Sequence, residues 1–185
     1  MTLMLEREVK LRFASQEEAR SAILAAGATP LRSRRLQKDA LLDTDDEVLR
    51  QRRCVLRIRT EAGKSLLTFK GPVQPGAMKL RDEYETIVGD GQVLQHVFEE
   101  LGLRVWFRYE KYREEYAAED VTIALDETPV GTFVEIEGGE DGILTMTRAL
   151  GRSAADFILD SYRGLFIQHR ETFGFSSANM VFGDE

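Results

Sequence analysis

The sequence is short of the residues that staple a fold or seed a metal site. Among 185 residues there is one cysteine, Cys54, and there are two histidines, His96 and His169. A lone cysteine excludes an intrachain disulfide and a Cys-based metal cluster, and Cys54 is expected to serve as a small hydrophobe. Neither histidine falls near a charged strand face, so both read as surface or packing residues rather than ligands or bases. No run of about 20 apolar residues occurs, and Glu6 interrupts the N-terminus before a signal-like segment develops. That pattern predicts a cytoplasmic protein with no membrane partner. A basic excess is also missing: the formal charge of −7 argues against a nucleic-acid binder, although a local basic channel can hide inside an acidic total. Two of the four prolines, Pro72 and Pro75, lie in the 71–76 connection, which lacks the Gly-Lys-Ser/Thr of a P-loop. With no solenoid period, low-complexity tract or linker, the expectation is one domain over 1–172 and a frayed, flexible tail over 173–185.

What the chain does have is alternation. In residues 5–13, Glu6, Glu8, Lys10 and Arg12 share one strand face, and Leu5, Val9, Leu11 and Phe13, with Arg7 among them, share the other. Taken alone, the charged face is the solvent side of a half-buried strand. The pattern returns, however, in further strand-like runs at 32–43, 54–60, 65–70, 79–88, 104–117, 121–127 and 133–137. Helical spacing appears between them. Ser15 with Glu18 caps a helix that Gly27 stops, and Leu49 to Arg53 suits a short helical turn. Val93, Leu94, Val97, Phe98 and Leu101 form the core-facing side of another helix. Residues 141–150 and 153–170 read as two C-terminal helices.

The fold expected from this order is α+β, an eight-stranded antiparallel β-barrel with helices packed outside. A closed barrel removes exposed edges and can hold one small ligand. The one-sided helices cover the apolar strand faces, so the charged faces must point inward. These carry acidic Glu6, Glu8, Glu83, Glu85, Asp126, Glu135 and Glu137, and basic Lys10, Arg57, Arg59, Lys70, Arg81, Lys111 and Arg113. Each unpaired ion in a dry interior would cost several kcal/mol, so the interior is expected to be wet and liganded. A polyphosphate with a divalent cation asks for both signs at once. Carboxylates suit hard Mg²⁺ or Mn²⁺, while Arg pairs match phosphate oxygens and Lys acts as a movable point charge.

The ordered set Glu6-x-Glu8-x-Lys10, Leu56-Arg57-Ile58-Arg59, Thr68-Phe69-Lys70-Gly71-Pro72, Arg81-x-Glu83-x-Glu85, Lys111-x-Arg113, Ala124-Leu125-Asp126 and Gly131-x-Phe133-Val134-Glu135-Ile136-Glu137 resembles the CYTH domain of the triphosphate tunnel metalloenzymes. Ser161-Tyr162 is similar to that family's C-terminal helix, and the likeness spans roughly residues 3 to 167. The resemblance implies a tunnel that binds a triphosphate with Mg²⁺ or Mn²⁺. It implies Glu6, Glu8, Asp126, Glu135 and Glu137 on the metal, and Arg57, Arg59, Lys70, Arg81, Lys111 and Arg113 on the triphosphate. Lys10 would lie near the scissile phosphate, taking part in the chemistry with Glu8 and Glu137, while Glu83 and Glu85 support the basic residues. The implied substrates are tripolyphosphate, thiamine triphosphate or ATP. The implied activities are triphosphate hydrolysis, preferred because it needs no ribose placement, or class IV adenylyl cyclisation, which the Ser161-Tyr162-Arg163 ending suits. A non-catalytic triphosphate- or polyphosphate-binding module is the third expectation. The family often dimerises, so a homodimer is among its implications.

Overall fold

The computed structural model describes residues 4–183. Its strands are β1 (Met4–Phe13), β2 (Thr29–Thr44), β3 (Val55–Glu61), β4 (Lys64–Lys70), β5 (Lys79–Val88), β6 (Leu103–Ala118), β7 (Val121–Thr128) and β8 (Gly131–Gly138). Five α-helices accompany them: α1 (Gln16–Ala25), α2 (Val48–Gln51), α3 (Gly91–Glu100), α4 (Glu140–Ala149) and α5 (Tyr162–His169). The strands close into a barrel in the order β1-β5-β4-β3-β2-β6-β7-β8, and every neighbouring pair is antiparallel. The α+β barrel expected from the alternation is therefore the fold.

Alternation then sorts the side chains. The outer faces of β1, β7 and β8 present Val9, Leu11, Phe13, Ile123, Leu125, Val134 and Ile136, and α1 and α4 cover them with Ala19, Ile23, Ile143 and Met146. Fully burying each large aliphatic side chain contributes about 1.5–3 kcal/mol, which holds this half of the barrel shut. Ser15 accepts a hydrogen bond from the Glu18 backbone to start α1.

The helix α3 departs from its expected packing. Val93, Val97 and Leu101 are exposed, whereas Leu94 and Phe98 are half-buried. The barrel is already closed, and α3 meets it through its first turn. A Cβ on Gly91 would come within 2.7 Å of Ser65 Oγ, so glycine permits that close approach.

The C-terminal part differs more. Instead of one helix over 153–170 there is a 3-10 turn at Ala154–Asp156, an extended stretch, and then α5. The reason lies in β1, which loses β5 as a partner beyond Glu8. Ile158 donates its backbone N–H to the Lys10 carbonyl at 2.8 Å and fills the open edge. The tail does the same for β6, whose pairing with β7 begins only at Tyr112. Glu110 N–H donates to the Met180 carbonyl at 2.8 Å, and Met180 N–H to the Arg108 carbonyl at 3.0 Å. Met180 is fully buried and Phe182 lies against Tyr112, so the tail packs on β6 as far as Phe182. Residues 184 and 185 lie outside the described residues.

Candidate active site: an ionic tunnel

The inner strand faces enclose a cavity of about 890 Å³, and every residue expected at a site lines it except Asp126. One end of the barrel interior is apolar. There Leu41, Phe107, Tyr109 and Phe133 pack on Tyr162, Leu165 and Phe166 of α5, which plugs much of that end. Most of the remaining lining is ionic and divides into two walls with Lys10 at their junction.

The basic wall is built on two buried aspartates. Arg59 grips Asp39 with Nε and Nη2 at 2.8 and 3.2 Å. Burial alone would raise the Asp39 carboxyl, but the Arg59 and Arg57 guanidiniums hold it below its ordinary range. Asp126 is fully buried behind the lining and accepts from Lys111 Nζ at 2.8 Å, Arg113 Nε at 2.7 Å and Nη2 at 2.5 Å, and Tyr162 Oη at 2.6 Å. Arg113 also pairs with Glu135. Burial opposes charge on Asp126, yet Arg113 and Lys111 keep its carboxyl low. Burial likewise pushes the Lys111 ammonium down to about 8, with Arg113 adding to the effect. The Tyr162 ring faces two ammoniums, Lys10 Nζ at 4.4 Å and Lys111 Nζ at 4.7 Å from its centroid. Arg57 Nε is buried with no hydrogen-bond acceptor among the described residues, although Asp39 Oδ1 lies 3.5 Å away.

At the junction, Lys10 Nζ donates to the Asp160 carbonyl at 3.0 Å and lies 3.2 Å from Glu135 Oε1. The extended stretch before α5 therefore aims Lys10 as well as sealing β1.

The acidic wall runs through β1, β5 and β8. Glu6 holds Lys70 at 2.6 Å and Arg81 at 3.0 Å, and Lys70 also reaches Glu83 at 3.0 Å. Glu85 accepts from Thr68 at 2.8 Å and lies 3.5 Å from Arg57. Burial and then Glu8 keep the Glu6 carboxyl above its ordinary range despite those two cations. Glu8 takes Lys79 at 2.8 Å; burial and Glu135 would raise its carboxyl, but Lys79, Lys70 and Lys10 bring it to about 2. Glu137 faces Glu8 across the β1–β8 pair and has no ion-pair partner among the described residues. Burial within the wall, followed by the charges of Glu6, Glu8 and Glu83, pushes its carboxyl up to about 7. Its side chain is nonetheless open to water within the tunnel, which screens that effect.

No three described carboxylates converge on a point as ligands of one cation do. The donor set still suits a hard divalent ion in kind, since Glu137 stands without a cation beside Glu8 and the donors are oxygens throughout, although Glu6 and Glu8 are held by Lys70, Arg81 and Lys79. Sequence reasoning missed Asp39, Gln37, Lys79 and Tyr109, all beside or on the tunnel. Their signal was parity, since Gln37 and Asp39 alternate with Leu36 and Ala40, and Lys79 stands two before Arg81. Arg35 also lies inside, against Glu61 at 3.1 Å and Glu115 at 2.9 Å.

Comparison with known proteins agrees with this geometry. The family model described as the CYTH domain matches residues 4–162. A protein of Methanocaldococcus jannaschii named "Putative adenylate cyclase" is 28% identical over 135 residues, covering 72% of this chain and 77% of that one. A solved Vibrio parahaemolyticus structure, also called a "putative adenylate cyclase", superposes with a TM-score of 0.77 at 20% identity over 90% of this chain and 99% of that chain. A Hippeastrum "putative adenylyl cyclase", described as having a dominant triphosphatase activity, superposes with a TM-score of 0.66 at 17% identity, over 90% and 96% of the two chains.

Proposed function

The chain belongs to the CYTH domain family, and from that premise we propose that it is a divalent-metal-dependent triphosphatase acting on tripolyphosphate or a small organic triphosphate. The observation that carries this reading is the unequal completion of the two walls. Asp39 and Asp126 offset only part of the charge on Arg57, Arg59, Lys111 and Arg113, so positive charge remains for phosphates, whereas Glu137 lacks a cation among the described residues and faces Glu8 across the strand pair. A ligand that brings phosphates and a cation together satisfies both walls.

In this reading Arg57, Arg59, Lys70, Lys79, Arg81, Lys111 and Arg113 bind the phosphate oxygens. Phosphates entering beside Lys70 and Arg81 compete with Glu6, and those beside Lys79 compete with Glu8. The displaced carboxylates, with Glu135 and Glu137, would hold Mg²⁺ or Mn²⁺. Such an ion, when bound, neutralises phosphoryl oxygens and fixes their orientation. Asp126, expected to join that set, has its oxygens taken by four hydrogen bonds and acts instead as the counter-ion that aims Lys111 and Arg113. Lys10 offers positive charge to the phosphoryl group being cleaved, and Glu8 and Glu137 orient the attacking water, whichever of the two is ionised taking the single proton it releases. Glu83 and Glu85 steady Lys70 and Arg57. Catalysis of this kind is mainly positioning and charge stabilisation.

Adenylyl cyclisation is the second reading, favoured by the name of the Methanocaldococcus jannaschii relative. The same lining would grip ATP, with the ribose 3′-hydroxyl in the place of water. Incubation with tripolyphosphate, thiamine triphosphate and ATP, each with Mg²⁺ or Mn²⁺, separates the readings. Phosphate release supports hydrolysis, cyclic AMP with pyrophosphate replaces it by cyclisation, and tight binding without turnover reduces the protein to a binding module. A cytoplasmic setting and a small-molecule partner go with either enzymatic reading.

A further inference from the structure

The helix α3 carries more apolar surface than the barrel covers. Val93, Leu94, Val97, Phe98 and Leu101 make one wide apolar face, yet only Leu94 and Phe98 are half-buried against the strands. Val93, Val97 and Leu101 are 59%, 48% and 69% exposed. They recur every fourth residue, so they form a continuous stripe along one side of the helix. On α1 and α4 the corresponding apolar residues, Ala19, Ile23, Ile143 and Met146, are buried. Rolling α3 inward to hide the stripe is blocked at its first turn, where Gly91 rests on Ser65, and at Gln95, which accepts from Arg108 at 3.2 Å.

The charges around the stripe narrow what can cover it. Asp90, at the start of the helix, accepts from the Gln92 and Val93 N–H groups at 2.8 and 3.1 Å. Arg104, just beyond its end, donates to the Glu99 and Leu103 carbonyls. Neither has an ion-pair partner among the described residues. The solvent flank holds Glu100 and His96, the latter paired with Glu99 at 3.1 Å. Carboxylates there disfavour an anionic bilayer, which selects helices flanked by Lys and Arg. A copy of the same helix running the opposite way fits better. About a two-fold axis at Val97, Val97 meets its own counterpart, Val93 meets Leu101 and Asp90 comes beside Arg104, since the members of each pair are equally distant from Val97 in the sequence. The antiparallel helix dipoles also attract. At 3.6 residues per turn, Gly91 and Phe98 lie about 100–120° around the helix from Val97, so the two barrels diverge from the contact.

We propose that the α3 stripe is a self-association surface: two copies of the chain pair through antiparallel α3 helices, with Val97 at the axis and an Asp90–Arg104 pair at each end. No α3 residue lines the tunnel, so pairing leaves the lining untouched and does not depend on the reaction inside it. A helix of 10 residues is about 15 Å long, which places the contact among small interfaces of less than about 1,200 Å² in total. Pairing is therefore weak and grows with concentration.

Sedimentation equilibrium of the whole protein from about 5 to 500 µM tests the proposal, with a dissociation constant expected between about 10 and 300 µM. Val97→Glu sets two carboxylates against each other at the axis and should weaken pairing about tenfold or more. Arg104→Glu, which would face Asp90, should weaken it about fivefold, and thermal melting confirms that each variant is folded. Position 97 also allows a chemical test, because the one native cysteine, Cys54, is buried. In a Cys54→Ala background, Val97→Cys should form a disulfide between copies under mild oxidation, whereas Ser21→Cys on the exposed side of α1 should not. A protein that stays monomeric over the whole range overturns the proposal. So does a dimer that ignores both Val97→Glu and Arg104→Glu and leaves the Val97→Cys chain uncrosslinked. Flotation with phosphatidylglycerol vesicles covers the remaining occupant: binding by a monomer that Val97→Glu abolishes would give the stripe to a lipid surface and overturn the proposal too.

Discussion

The two walls of the tunnel use the same residue types and reach opposite states. On the basic wall, Asp39 and Asp126 are buried, charged and saturated, so Arg59, Lys111 and Arg113 are held in place before any ligand arrives. On the acidic wall, Glu6 shares Lys70 with Glu83, and Glu137 faces Glu8 with no cation between them. The first wall is finished by folding and the second by what binds. A charged residue in such a barrel is thus structural or receptive according to whether a partner has been folded beneath it.

Breaking the finished wall should produce the largest effect. Asp126→Asn leaves Lys111 and Arg113 buried without their counter-ion and is expected to cost about 3–5 kcal/mol of stability, read from urea unfolding; a loss under about 1 kcal/mol would put Asp126 outside the folded framework. On the receptive wall the effect should move from stability to rate. Glu8→Gln and Glu137→Gln should each lower metal-dependent turnover by about a hundredfold or more, with melting of the Glu137 variant unchanged or slightly raised. Full activity in both variants would remove the carboxylates from the metal assignment.

Tyr162→Phe probes the seam between the walls with a smaller change. Loss of its hydrogen bond to Asp126 should cost about 1–2 kcal/mol, measured by the same unfolding, with turnover falling through a less well aimed Lys111.

The smallest effect is a pH slope without metal. Glu137 is raised to about 7 in the fold, so its contribution is fully present below the ordinary carboxylate range and is lost as pH climbs toward 7. Because its side chain is open to tunnel water, the loss should be about 1 kcal/mol or less. Asp39 is depressed and acts in the other direction: its contribution is present above the ordinary aspartate range and fades as pH falls through its folded value. Melts of the metal-free protein across this range should therefore show a shallow maximum in mild acid. Glu137→Gln or added Mg²⁺ should flatten the decline on the neutral side, and a decline indifferent to both would remove Glu137 as its source.

Period-two alternation made most of the lining legible, because closure of the barrel leaves no ambiguity about which face is inside. Partnership was not legible. Asp126 has the parity of a ligand, and only the fold reveals Tyr162, Lys111 and Arg113 around it. Asp39 was hidden because a single carboxylate alternating with Leu36, Ala40 and Leu42 has the pattern of any half-buried strand. Ile158 and Met180 were unreadable for a different reason. Their apolar side chains suit helix or tail equally, and the demand for them comes from open strand edges on β1 and β6, a property of pairing lengths.

The position of β1 in the chain has a kinetic consequence. It pairs with β5 on one side and β8 on the other, placing Glu8 between Lys79 and Glu137. A ribosome releases this strand first, yet its second neighbour emerges only after most of the polypeptide has been made. Long-range pairing of this kind is slow to form. The expected order is early β2–β3–β4–β5 meander formation and late barrel closure through β1 and β8, so cation affinity should appear as the final event of maturation, and a nascent chain that stops short of β8 should have none.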